Sequence, residues 1–374
     1  MGGALRVLIA GGGTGGHVVP ALAIARELRD AHGAEVRFVG TERGLETRLV
    51  PEAGFSLELI KVGQLKNVSL ATRARTLFDL PLGVLRCVGL LRSFRPQVVI
   101  GVGGYASGPA MMAAILLRIP TLAFEPNAVP GLANRLVGKH VSAAAVNLRE
   151  TTKYFRNARV TGTPVRPEFF AIEPRPAGPA HRLLVFGASQ GARILNQTMP
   201  KIMGELLERF PELTVVHQTG ARHAETTLAG YREAGIGFER LTVTPYLDDM
   251  AAQFAAADLI LCRSGASSVA EVAAAGRAAV LIPFPQAADD HQRKNAEAFV
   301  AAGAAELIIE AELTPERLLG LLTELLSDNQ RRAAMGERAR SLAHPQAVRE
   351  IANMAIELAG SPLRFCAKSS KDWT

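Results

Sequence analysis

His17 stands directly behind a run of glycines in Gly11-Gly12-Gly13-Thr14-Gly15-Gly16-His17, and the run follows the apolar segment Leu8-Ile9-Ala10. An imidazole at the start of a helix feels the positive end of the helix dipole, which keeps it neutral and able to accept a proton. A second signature of this kind, Leu184-Val185-Phe186 leading into Gly187-Ala188-Ser189-Gln190-Gly191-Ala192, lies about half a chain later. In each, a buried-strand pattern ends in glycines and an amphipathic helical pattern follows. Backbone N–H groups and a helix N-terminus therefore converge on one spot that favours anions. Two such spots facing each other would clamp a phosphate-bearing ligand between two domains.

Further segments carry the same logic. Gly101-Val102-Gly103-Gly104-Tyr105-Ala106-Ser107-Gly108-Pro109 offers backbone donors suited to a pyrophosphate. Phe124-Glu125-Pro126-Asn127 ends another strand at the carboxyl edge, where doubly wound sheets hold ligands. Glu125 is a second candidate base, or with Asn127 a cap for the helix predicted from Gly131 to Val137. In Cys262-Arg263-Ser264-Gly265-Ala266-Ser267-Ser268-Val269-Ala270-Glu271, the backbone at Ala266, Ser267 and Ser268 can hold a phosphate. Glu271 can accept both hydroxyls of a ribose, a neutral diol that suits a carboxylate where a phosphate would not. The stretch from Pro283 to Asn295, with Gln286, His291 and Gln292, suits the reading of sugar hydroxyls or plain loop and cap chemistry. The spacing Gly11-x-Gly13-x-x-Gly16 also matches a dinucleotide fingerprint, with Glu42 as the acid for a ribose, but a dehydrogenase has no use for the loop at Gly187.

The elements that must position these residues alternate as βαβ units. Strands are predicted at Arg6–Ala10, Glu35–Gly40, Leu57–Val62, Val98–Val102, Thr121–Phe124, Ala143–Asn147 and Arg159–Thr161. After the proline-containing hinge Gly162-Thr163-Pro164-Val165-Arg166-Pro167, a second set runs over Arg182–Phe186, Thr214–Gln218, Leu241–Thr244, Leu259–Cys262, Ala279–Ile282 and Ala305–Ile309. The expected fold is α/β with two Rossmann-like domains, 1–163 and 164–340, their parallel sheets facing across a cleft. A C-terminal helix within 341–360 is expected to return to the first domain, followed by a polar, frayed tail from Gly360.

With 374 residues, 48% apolar and 21% charged, the chain can bury two cores and is neither disordered nor fibrous. Cys87, Cys262 and Cys366 have no metal-ligand spacing and read as reduced thiols. The N-terminus does not read as a targeting peptide, and no apolar stretch suffices for a membrane span, so a cytoplasmic protein is expected. The net charge of +7 is concentrated. Between Lys61 and Arg95 there are seven cations (Lys61, Lys66, Arg73, Arg75, Arg86, Arg92, Arg95) against Asp79, interleaved with Leu65, Val68, Leu70, Leu77, Phe78, Leu80 and Leu82. This suits an interfacial contact with anionic lipid, or two core-packed helices with a solvated basic face. No nucleic-acid motif is present and no such partner is expected.

The motifs Gly12-Gly13-Thr14-Gly15-Gly16-His17, Gly103-Gly104-Tyr105-x-Ser107-Gly108-Pro109, Gly187 to Ala192 running into Arg193-Ile194-Leu195-Asn196, Asp248-Asp249-Met250 and Arg263-Ser264-Gly265-Ala266 together resemble the MurG family. These are the N-acetylglucosaminyltransferases of bacterial peptidoglycan synthesis. The resemblance runs from about Arg6 to about Leu358. It implies a GT-B fold and an inverting transfer of GlcNAc from UDP-GlcNAc to the MurNAc 4-hydroxyl of lipid I, giving lipid II. It further implies donor contacts at Ser189 (diphosphate), Leu247 (uracil), Ala266 to Ser268 (phosphate), Glu271 (ribose) and Gln292 (sugar). First-domain contacts map to Thr14, Gly15, Gly16 and Asn127, with Arg166 from the hinge. The chain departs from the family where many relatives have His-Glu-x-Asn and it has Phe124-Glu125-Pro126-Asn127, which removes one candidate base. It departs again where some have Gln-Gln and it has His291-Gln292.

Under this reading His17 is the first choice of base, and helix N-termini with Arg166 stabilise the departing UDP. No cofactor and no metal is expected. The expected partners are UDP-GlcNAc, lipid I, the anionic inner-membrane surface on its cytoplasmic side, where the protein would be peripheral, and cell-wall synthesis proteins. A UDP-GlcNAc 2-epimerase or another GT-B transferase would share the nucleotide half without needing the basic, apolar segment. A dehydrogenase would use only the first loop, and a non-catalytic scaffold would bind donor without turnover.

Overall fold

The structure, a computed structural model, describes residues 4–42, 44–61, 70–188 and 190–360; the side chains of 70–79 lie outside that description. Apolar runs that are buried on both faces form two all-parallel sheets. The first contains β1 (Arg6–Ala10), β2 (Glu35–Gly40), β3 (Ser56–Leu59), β4 (Val98–Gly101), β5 (Thr121–Glu125), β6 (Ala143–Val146) and β7 (Ala158–Val160), in the spatial order 3-2-1-4-5-6-7. The second contains β8 (Arg182–Phe186), β9 (Thr214–Gln218), β10 (Leu241–Thr244), β11 (Leu259–Cys262), β12 (Ala279–Leu281) and β13 (Ala305–Leu307), ordered 10-9-8-11-12-13.

The period of two along each strand assigns side chains to opposite cores. Val7 and Ile9 of β1 pack with the helix Gly15–Asp30, whereas Leu8 and Ala10 pack with Leu91 and Phe94 of Leu70–Phe94 and with Met111 of Ser107–Leu116. Leu183 and Val185 of β8 likewise face one core while Leu184 and Phe186 face the other. The helix Ala347–Gly360 buries Ile351, Ala352, Met354 and Ala355 in the first half's core, beside Gly15–Asp30. The last turn of the sequence pattern thus returns across the hinge.

Strand order reverses between β1 and β4 in one sheet and between β8 and β11 in the other. At such a switch point the connecting helices leave in opposite directions, opening a crevice at the carboxyl ends. The connections leaving β1 and β4 carry His17, in the first turn of Gly15–Asp30, and Gly103; those leaving β8 and β11 carry Gly187 and Ala266, which begins the helix Ala266–Ala275. Topology alone brings the four glycine-bearing segments to two crevices.

Candidate active site in the cleft

The loop after β1 enters its helix with Thr14 as the extended N-cap, whose carbonyl accepts the N–H groups of His17 and Val18, both at 3.1 Å. His17 therefore lies in the first turn. The loop after β4 packs directly on it: Gly103 and Gly104 have φ of +90° and +80°. A Cβ on Gly103 would stand 3.0 Å from His17 Nε2, and one on Gly104 would strike the Gly12 carbonyl. Only glycine accommodates both the conformation and the approach. The Thr14 hydroxyl lies 3.4 Å from His17 Nδ1. Burial is the main cause that lowers the His17 pKa, and His291 from the opposite half lowers it further; a Gly12 backbone hydrogen bond and the Glu46 charge pull the other way. Burial thus favours the neutral ring.

The dinucleotide fingerprint is formal only. Glu42 is exposed. It is Glu46, 1% exposed, that turns its carboxylate into the glycine loop. Glu46 accepts Gly13 N–H at 2.7 Å, Thr41 N–H at 2.9 Å and the Thr41 hydroxyl at 3.0 Å. A dinucleotide diphosphate needs that N–H and would meet a negative charge. Thr14, Gly15 and Gly16 remain partly or fully exposed, and Gly16 looks across the cleft: a Cβ there would lie 4.0 Å from Ser267 Oγ.

Glu125 is 2% exposed and already saturated. One oxygen accepts the Asn127 N–H and Nδ2, both at 3.0 Å; the other accepts the Gly131 N–H and Asn134 Nδ2, both at 3.1 Å. Burial raises its pKa while these bonds oppose the rise. With four donors, this carboxylate shapes the loop from Pro126 to Gly131. Asn127, held by Glu125, meets the other half. Asn295, 1% exposed, accepts Ala128 N–H at 2.9 Å and donates to Asn127 Oδ1 at 3.3 Å and to Ser264 O at 3.2 Å. Arg135 and Asp289 pair at 3.4 Å beside this contact.

On the donor side, Gly265 caps the helix Ala266–Ala275 with extended backbone. Ala266 and Ser268 are buried, and Ser267 Oγ is buried without a hydrogen-bond partner among the described residues. Arg263 donates to the carbonyls of Ile282 and Pro283, at 3.2 and 3.1 Å, so the β11 and β12 ends are tied together. Glu271 is pushed up to about 7 by burial; Arg166 acts against the shift and Glu168 with it. Arg166 itself lies 3.3 Å from Glu168 and over the Phe169 ring, at 4.9 Å. Gln292 accepts Phe284 N–H at 3.0 Å, and its Nε2 lies 4.0 Å from where a Gly265 Cβ would be. Leu247 is half-buried in the loop after β10, against the core of the second half. Ser189 lies outside the described residues.

The cleft thus gathers Thr14, Gly15, Gly16, His17, Asn127, Ala266 to Ser268 and Gln292, with Glu271 one turn into the helix and Arg166 close enough for its charge to act on that carboxyl. Sequence reasoning missed Glu46 and Asn295. Asn295 stands one turn beyond Gln292 and Glu46 four residues beyond Glu42, at the start of the helix Glu46–Glu52, but sequence spacing alone did not say which carboxylate or amide turns inward.

Residues 7–146 match the glycosyltransferase family 28 N-terminal domain and residues 182–351 its C-terminal domain. The chain is 44% identical over 367 residues to the UDP-N-acetylglucosamine–N-acetylmuramyl-(pentapeptide) pyrophosphoryl-undecaprenol N-acetylglucosamine transferase of Anaeromyxobacter sp. (strain Fw109-5), covering 96% of each. The Myxococcus xanthus protein of the same name is 42% identical, over 95% of this chain and 93% of that one. The crystal structure of Acinetobacter baumannii MurG superimposes with a TM-score of 0.80 at 31% identity, over 94% of this chain and 99% of that one. A Listeria monocytogenes structure described as a UDP-N-acetylglucosamine 2-epimerase shares the fold alone, with a TM-score of 0.64 at 13% identity. On these grounds the chain belongs to the MurG family of glycosyltransferases, built from the two family 28 domains.

Proposed function

We propose that the chain transfers GlcNAc from UDP-GlcNAc to the MurNAc 4-hydroxyl of lipid I with inversion, yielding lipid II, and that the transfer runs in this cleft. The observation that carries the reading is His17, buried between two glycine loops so that its pKa is lowered, opposite the start of Ala266–Ala275. The acceptor oxygen bonds to the anomeric carbon as the bond from that carbon to the UDP oxygen breaks, and its proton passes to His17. The bond electrons leave with the diphosphate. Backbone N–H groups at Ala266 to Ser268 and at the start of Arg193–Arg209 stabilise that charge, with Arg166 adding a cation; the diphosphate contact assigned to Ser189 rests on the family resemblance. Glu271 takes the ribose diol, Gln292 the sugar, and the backbone at Leu247 the uracil. Thr14, Gly15, Gly16 and Asn127 hold the acceptor side. We divide the chain at the hinge, with 1–163 and the returning helix in 341–360 as the acceptor half and 164–340 as the donor half.

We also assign a membrane-facing surface to the first half. Leu82 and Leu85 on Leu70–Phe94, Leu116 on the neighbouring Ser107–Leu116, and Leu136 on Leu132–Val137 are 61%, 65%, 70% and 58% exposed. Arg86 and Arg92 share the exposed side of the first of these helices, whose opposite face buries Cys87, Leu91 and Phe94. Leucines that insert beside cations that meet headgroups fit a peripheral contact with an anionic bilayer. Lys66, Arg73, Arg75, Leu77 and Phe78, which were expected to share this role, lie outside the described side chains. Among the described residues no helix is long and apolar enough to cross a membrane. Incubation with radiolabelled UDP-GlcNAc and a short-chain lipid I analogue tests the activity. Label in the lipid product supports it; label that stays in free sugar, or a changed sugar epimer, overturns it.

A further inference from the structure

Glu46 is a buried carboxylate for which the reaction as derived above has no use. Its three hydrogen bonds come from two separate loops, one at the end of β2 and one at the end of β1. Three glycines crowd it: a Cβ on Gly12, Gly40 or Gly44 would overlap its side chain. The groove for this one carboxylate is therefore built from both sides. A buried ion is a poor device for stability alone, because a well-packed apolar residue of similar volume commonly does as well. It holds Gly13, four residues before His17, and its charge acts on that ring. The groups that bear on that ring are Glu46, the Thr14 hydroxyl and the Gly12 backbone from the same half and His291 from the helix His291–Ala301 opposite.

We propose that Glu46 is a positioning residue of the acceptor half: it anchors the glycine loop through Gly13 and Thr41, and its negative charge stabilises the imidazolium formed when His17 takes the acceptor proton. The proposal rests on the assignment of His17 as base. It gives the loop a division of labour. The N–H of Gly13 is committed to Glu46, so the donors left free for an anion are those after it, at Thr14 to Gly16. The arrangement parallels the general logic in which a base is oriented and balanced by a third group.

The test uses the full chain with 15N-labelled histidine, the His17 resonance being identified by its loss in His17→Ala. Glu46→Gln keeps the shape and removes the charge. Gly44→Ala keeps the charge and pushes the carboxylate off Gly13, which guards against a Glu46→Gln protein that does not fold. In both variants His17 is expected to titrate at lower pH than in the wild type, because a negative neighbour that favoured the protonated ring is gone or displaced. The acid limb of kcat for transfer to the lipid I analogue should move the same way. kcat should fall by about 10- to 100-fold, the scale of a misplaced catalytic group. UDP binding in the second half should stay within about twofold, since no contact there changes. A His17 titration unmoved in the folded variants, or activity lost only in step with Tm, overturns the proposal. If His17→Ala keeps wild-type transfer, the base assignment falls and this proposal with it, whatever the titrations show.

Discussion

Replacing Glu271 by glutamine should weaken donor binding and abolish a pH dependence that the wild type shows. Burial holds the Glu271 carboxyl up to about 7 against an ordinary 4.5, despite Arg166 nearby. With a folded value above the unfolded one, the folded chain binds the proton more tightly across that window. The ionised group therefore subtracts stability as pH rises from about 4.5 to about 7, and Glu271→Gln should raise Tm above neutral pH. Binding runs the opposite way. The carboxylate is the form that accepts both ribose hydroxyls, so the donor Kd of the wild type should tighten between pH 6 and 8, by at most about tenfold per unit for a single group. Hydrogen bonds to a charged acceptor contribute about 1.5–3 kcal/mol each, and the freed diol regains water, so a net loss of about 1.5–3 kcal/mol, or roughly 10- to 150-fold in Kd at pH 8, is expected. UDP-GlcNAc itself keeps constant charge over this range, which makes calorimetry against pH a clean assay. Because the contacts exist in ground and transition states alike, the donor KM should rise more than kcat falls. Parallel pH slopes for wild type and Glu271→Gln, or an unchanged Kd at pH 8, would refute the ribose contact.

Glu125→Gln sets an NH2 against N–H donors that now meet oxygen, so a loss of about 2–3 kcal/mol and a lower Tm are expected, with kcat per folded molecule reduced less than in His17→Ala. Collapse of kcat at normal Tm would instead make Glu125 the base. Sedimentation with anionic vesicles should exceed that with neutral ones and fade with salt, the attraction being about 1 kcal/mol per cation near the surface. Leu82→Ser with Leu85→Ser, or Arg73, Arg75 and Arg86 changed together to glutamine, should weaken it while UDP binding is kept. Equal sedimentation of wild type and variants would place the membrane face elsewhere.

The parallel strands were legible because buried strands read as continuous apolar runs stopped by glycine or a polar turn. Arg6–Ala10, Glu35–Gly40, Arg182–Phe186, Thr214–Gln218, Leu241–Thr244 and Leu259–Cys262 have the same ends in the structure. The other strands differ at one or both ends, the edge strand β3 most of all. Leu57–Val62 was expected where β3 runs Ser56–Leu59, since its register comes from pairing with Arg37–Gly40 of β2 and its side chains are largely exposed. The basic segment reads as two helices or an interfacial one; in its described part a single helix, Leu70–Phe94, carries Pro81 within it and has both a core face and an exposed face. Which leucines face outward depends on helix rotation, so exposed Leu85 escaped notice while half-buried Leu80 was named. The glycine loop after β1 stood out in the sequence because its geometry needs glycine, through crowding by Glu46 at Gly12 and a positive φ at Gly13. The inward turn of Glu46, the saturation of Glu125 and the bridge at Asn295 depend on contacts between distant segments, for which one sequence has no pattern.

The most direct test of the central claim is a single-turnover measurement with UDP-GlcNAc and the lipid I analogue both saturating, comparing wild type with His17→Ala. A lost general base predicts a rate lower by roughly 100-fold or more, with unchanged UDP affinity. A folded His17→Ala protein that transfers GlcNAc at the wild-type rate would contradict the account.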